Sequence, residues 1–70
     1  MILVQLKIND EENDTWDILE SVLMPFAPCA GCDIKIWIDK DYHFIKIESI
    51  DYIFNADNTF SHIEAYLGSF

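Results

Sequence analysis

Arginine is absent from this chain, and glycine, proline and cysteine each occur only twice in its 70 residues. Without arginine there is no planar guanidinium for a bidentate grip on phosphate or guanine. The four lysines are too few for the row of cations that counter-ion release from a polyphosphate requires. Direct binding of DNA, RNA or an anionic membrane is therefore not expected. Two glycines leave no Gly-rich loop to cradle a phosphate, and two cysteines are too few for a secreted disulfide framework. The apolar runs last only a few residues, far below the roughly 20 that a membrane-spanning helix needs. Nor does the N-terminus show a basic region followed by a long apolar stretch, so a signal peptide is not expected and the anticipated location is the cytoplasm.

What the chain does contain is apolar side chains and acid. Hydrophobic residues make up 51% of it, including five Phe, three Tyr and two Trp, a composition that folds rather than one that stays disordered. Its length suits a single domain, residues 1–70, which buries about 60% of its unfolded surface and leaves some large apolar groups outside. Thirteen acids against four lysines give a formal charge of −9, so the natural partner is a basic one.

Ile2, Val4, Leu6 and Ile8 alternate with Gln5 and Lys7, the pattern of a half-buried strand. Asn9 to Asp14 is polar and acidic and reads as a loop. The next segment fits a helix, with Asp14 as N-cap, Asp17 three positions on, and Trp16, Leu19 and Leu23, beside Ile18 and Val22, as an apolar stripe. Pro25 ends it. Ile34, Ile36 and Ile38 then alternate with Lys35 and Trp37. A turn at Asp39, Lys40 and Asp41 leads to the β-formers Tyr42 to Glu48, completing a hairpin. Ser49 to Phe54 reads as a further strand or a bent continuation. After a polar turn at Asn55 to Thr59, the last segment fits a strand slightly better than a short helix. The expected fold is α+β: an antiparallel sheet of four to five strands with one helix on one face, in the order β-α-β-β-β followed by a strand or short helix. One helix cannot cover both faces of strands that carry large residues on each side, so a second chain is expected over the other.

No arrangement of residues points to an enzyme. Cys29-Ala30-Gly31-Cys32 precedes a strand instead of opening a helix, which removes the usual means of lowering a redox thiol's pKa. As half of a zinc site it lacks a matching pair, because His43 and His62 lie 19 positions apart. No cofactor or metal is expected. The carboxylates Asp10, Glu11, Glu12, Asp14, Asp17 and Glu20 fail as a calcium loop, since Thr15 and Ser21 stand where glycine and glutamate are needed.

The same carboxylates suit another purpose, with Asp39 and Asp41 next in line. Acids on a rigid scaffold can stand in for phosphates before a basic cleft, and association would be steered electrostatically. In size and charge the chain is similar to the small acidic proteins by which phages disarm host defence, including anti-CRISPR and anti-restriction inhibitors. The resemblance implies a DNA-mimicking inhibitor acting on a basic nucleic-acid-binding effector or nuclease in the host cytoplasm. The alternative expectation is a homodimeric or accessory subunit that binds through exposed sheet aromatics, Trp37, Tyr42 and Phe44.

Overall fold

The computed structural model describes residues 1–68. Five strands account for most of them: β1 (Ile2–Asp10), β2 (Thr15–Met24), β3 (Asp33–Ile38), β4 (Asp41–Phe54) and β5 (Phe60–Leu67). They form one sheet in the order β2-β1-β5-β4-β3, curled into a half-barrel, and no helix occurs among the described residues. The expected α+β fold is thus corrected to an all-β one, and the expected helix is strand β2. The sheet is not purely antiparallel either, because β1 and β5 run parallel. Successive strands reverse direction, so the first and fifth point the same way and can pair only in parallel.

The apolar spacing of residues 15–24 imitates a helix because β2 contains a bulge. Leu6 pairs with Glu20 while Lys7 pairs with Ile18, so the strand accommodates one extra residue at Leu19. Beyond the bulge Val22 and Met24 turn inward, and Leu19 joins them against the core. Before it, Ile18 and Trp16 pair with Lys7 and Asn9 on the outer face. Strict alternation is broken once, and the resulting 19, 22 interval matches a helical stripe. Asp14 caps nothing. It adopts a left-handed backbone, φ 52°, at the end of the tight β1–β2 turn.

The β3–β4 hairpin is as expected, and Ser49 to Phe54 continues β4 as one long strand. Its first half, Asp41 to Lys46, pairs with β3, and from Ile47 onward it pairs with β5. The register slips between Ile47 and Ser49, so that Ile45 and Ile47 face inward before the slip and Ile50 after it. Residues 60–67 form a strand, β5, at the centre of the sheet.

The core is a single cluster: Val4 and Leu6 from β1, Ile45 and Ile47 from β4, and Ile63, Ala65 and Leu67 from β5. With no helix among the described residues, the sheet covers its own concave face by curling. Val22 and Met24 of β2 and Ile34 and Ile36 of β3, from the two outermost strands, line a common cleft of about 320 Å³ and pack on the same cluster. Closing a sheet on itself in this way buries one face without a second layer.

Candidate partner-binding surfaces

The β1–β2 turn gathers four of the candidate acids. Asp10 ends β1, and its carboxylate accepts hydrogen bonds from the Glu12 amide (3.1 Å) and the Asn13 side-chain amide (2.8 Å). This local bonding bends the chain into the turn and holds Glu11, Glu12 and Asp14 in solvent. Asp17 follows on exposed β2, opposite Ile8. Glu20 stands beside the bulge, its carboxylate accepting from the Ser21 amide at 3.2 Å. No salt bridge among the described residues joins any of these six to a cation. Among the described residues the one salt bridge joins Lys7 and Glu64, 2.8 Å apart on the outer face. No lysine lies between Lys7 and Lys35, so the whole first hairpin beyond β1 is uncompensated negative charge. Glu48, from the β4 irregularity, joins Glu11 and Trp16 around a cleft of about 500 Å³ that Ile8 and Leu67 also line.

Asp39 and Asp41 occupy a different turn. There the chain reverses through Asp39 (φ 52°) and Lys40 (φ 68°), both left-handed, the geometry that a two-residue turn needs between right-twisted strands. The Asp41 carboxylate accepts from the Tyr42 amide at 2.8 Å. Lys40 stands between the two acids in sequence and partly offsets them. The expected acidic residues therefore fall into two groups, the β1–β2 end and the β3–β4 tip.

The aromatic candidates are brought together. Trp37 and Tyr42 are register partners on the outer face of the β3–β4 hairpin, with ring centroids 4.9 Å apart and edge-on. Phe44 lies on the same face, and the Lys35 ammonium sits over both rings, 4.5 Å from the Tyr42 centroid and 5.6 Å from that of Phe44. Lys46 pairs with Asp33 at the end of the ladder. The lysines were the part of this surface not singled out from sequence. Their signal was visible, since Lys35 and Trp37 share the parity opposite to the isoleucines.

Two further aromatic groupings were missed. Trp16, expected on a buried helical stripe, instead stands half-exposed with its ring edge-on to Tyr66, centroids 5.0 Å apart. Burial, and next a hydrogen bond to Asp51, push the Tyr66 hydroxyl above its usual range. Phe60 packs against Phe54 (5.7 Å) and Tyr52 (6.4 Å) at the β4–β5 end. Both groupings join residues from strands whose pairing depends on the bulges, so linear parity could not bring them together.

Among the described residues no three His, Cys, Asp or Glu side chains converge as a metal site. Cys29 is exposed and Cys32 half-buried, and both are free thiols. The Cys32 amide donates to the Cys29 carbonyl in a turn, while the Gly31 amide donates to the Ile47 carbonyl at 2.7 Å. His62 hydrogen-bonds through Nδ1 with the neighbouring Ser61 hydroxyl at 2.8 Å. No helix among the described residues is long and apolar enough to cross a membrane. The chain matches no known family model, curated protein or solved structure.

Proposed function

We propose that this protein is a small inhibitor that occupies the cationic surface of a nucleic-acid-binding effector or nuclease, in the manner of phage anti-defence proteins, within the cytoplasm of the host cell. One observation carries the reading. Six carboxylates from Asp10 to Glu20 stand on one hairpin, none of them in a salt bridge among the described residues, with no lysine in the intervening sequence. Negative groups gathered on a tight turn and the strand beside it present a summed field that steers the encounter with a basic cleft. The reading needs no catalytic chemistry.

Charge reversal tests it directly. Glu11, Glu12, Asp17 and Glu20 are the sites to change to lysine, because they spare the Asp10 turn and the left-handed Asp14. In binding assays against a panel of purified CRISPR effectors and restriction nucleases, any interaction should weaken at least about a hundredfold. The wild-type affinity should also fall steeply with salt. An interaction that ignores both charge and salt rejects electrostatic mimicry.

A second reading is favoured by the outer face of the β3–β4 hairpin. Trp37, Tyr42 and Phe44 are all more than half exposed there. Such a face suits an accessory or homodimeric subunit in which aromatic burial supplies the affinity and the acids act only as solubilising charge.

A further inference from the structure

We infer that Cys29 and Cys32 are the site of a reversible disulfide, closed across their turn by exchange with a low-molecular-weight disulfide such as oxidised glutathione. The connection between β2 and β3 is then a redox-sensitive clasp. The inference rests neither on the acidic hairpin nor on any partner.

The backbone already brings the two residues together. The Cys32 amide donates to the Cys29 carbonyl at 3.3 Å, closing a four-residue turn with Ala30 and Gly31 at its centre. Gly31 lies at φ 89°, the left-handed value that the third residue of a type II turn requires and that glycine adopts without strain. A turn of this kind keeps its first and last Cα atoms within about 7 Å, and a disulfide needs about 4.4–6.8 Å. Two more hydrogen bonds fasten the turn to β4. The Gly31 amide donates to the Ile47 carbonyl at 2.7 Å, and the Ile47 amide donates to the Cys32 carbonyl at 2.9 Å. Cys32 thereby stands opposite buried Ile47, one step beyond the Asp33–Lys46 pair of the β3–β4 ladder. The pair is held in place before any bond forms, so closing it removes little chain entropy.

Exposure assigns the order of events. Cys29 is open to solvent, whereas Cys32 is half-buried against the core. The Cys29 thiolate attacks one sulfur of the small disulfide, forming a mixed disulfide and expelling one small thiolate, which takes up the proton Cys29 lost. The Cys32 thiolate then attacks the Cys29 sulfur, forming the internal bond and expelling the second small thiolate, which takes up the proton of Cys32. Two protein thiols are oxidised and one small disulfide is reduced to two thiols. In a reducing compartment the clasp stays open, and it closes as the disulfide pool rises. Residues 25–32 are the longest connection between strands in this fold, so a bond there fastens its loosest join.

Equilibration of the full chain with mixtures of reduced and oxidised glutathione, followed by acid quenching and mass spectrometry, tests this. The wild type should accumulate a monomer lighter by two hydrogen atoms. A bond that the fold favours must favour the fold equally, so its formation constant should be at least about fivefold greater in native buffer than in concentrated urea. The oxidised chain should also melt about 4–8 °C above the reduced one. Cys32→Ser should retain a lasting glutathione adduct on Cys29, and Cys29→Ser should react at Cys32 at least about tenfold more slowly. A formation constant no greater in buffer than in urea overturns the inference. So does a wild type that accumulates glutathione adducts or disulfide-linked dimers in place of the internal bond.

Discussion

Single residues set the turns and fix where the fold is vulnerable. Lys40 is held at φ 68°, a conformation costing an L-residue roughly 1–2 kcal/mol, in a turn where glycine follows aspartate most readily. Lys40→Gly should accordingly stabilise the protein by about 1 kcal/mol in urea titrations. Gly31, at φ 89°, faces open space, so Gly31→Ala clashes with nothing but forces a side chain into the same disfavoured region. In the core, Ile63 is fully buried on the central strand, and Ile63→Ala should cost about 2–5 kcal/mol. In a domain of this size such a loss leaves a large unfolded fraction at 25 °C, visible as lost near-UV dichroism.

Titration acts at this scale too, chiefly at the alkaline end. The hydrogen bond to Glu64, followed by its charge, holds the Lys7 ammonium above its ordinary value of 10.5. Tyr66, raised by burial, also favours its protonated form when folded. Both contributions are complete below the unfolded values, near 10 for Tyr66 and 10.5 for Lys7, and are lost as pH rises through the higher folded ones. Asp57 behaves oppositely. The Thr59 hydroxyl donates to its carboxylate, holding its pKa below 3.8, so its contribution is present above that value and fades as pH falls through the folded one. The melting temperature should therefore drop as pH is raised beyond about 10, and Glu64→Gln should reduce the part of that drop belonging to Lys7. A melt unchanged by Glu64→Gln across that range would show that the Lys7 bond contributes nothing measurable.

Elements were legible wherever alternation runs unbroken. Ile2 to Ile8 and Asp33 to Ile38 each place their branched residues on one side, and both are strands with those residues inward. β2 was misread because a bulge at Leu19 displaces its inward set by one position, and the same kind of slip near Glu48 splits β4 between two partners. Linear spacing contains no mark of a bulge, since the extra residue shows only against the partner strand. This makes Leu19 the discriminating position in β2. As a strand residue turned toward the core it should tolerate Leu19→Ser poorly, losing about 1–3 kcal/mol, whereas exposed Glu20→Ser beside it should stay within about 0.5 kcal/mol. Equal effects at the two positions would contradict the bulge.

Over the whole molecule, charge is the dominant fact. Among the described residues a single salt bridge, Lys7 to Glu64, stands against thirteen acids, so the folded state bears its own repulsion. Salt that screens exposed charges should raise the melting temperature steadily between about 0.1 and 1 M NaCl. A flat response would mean that the carboxylates lie too far apart to repel one another, which would also weaken the case for a polyphosphate mimic.

The excess of acid, the lack of arginine and the presence of two β-rich hairpin strands at residues 33–48 were determined by the sequence alone, because charge count and period-2 alternation are local properties. The candidate acids of residues 10–14 and the aromatic trio were likewise nameable there, since adjacency on a turn and shared parity on a hairpin follow from spacing. The tertiary structure decided the rest. It replaced the covering helix with the sheet's own curl, paired β1 with β5 in parallel, and set Trp16 beside Tyr66. Those outcomes depend on which strand meets which and in what register, and a chain's linear order does not encode that until distant residues are in contact.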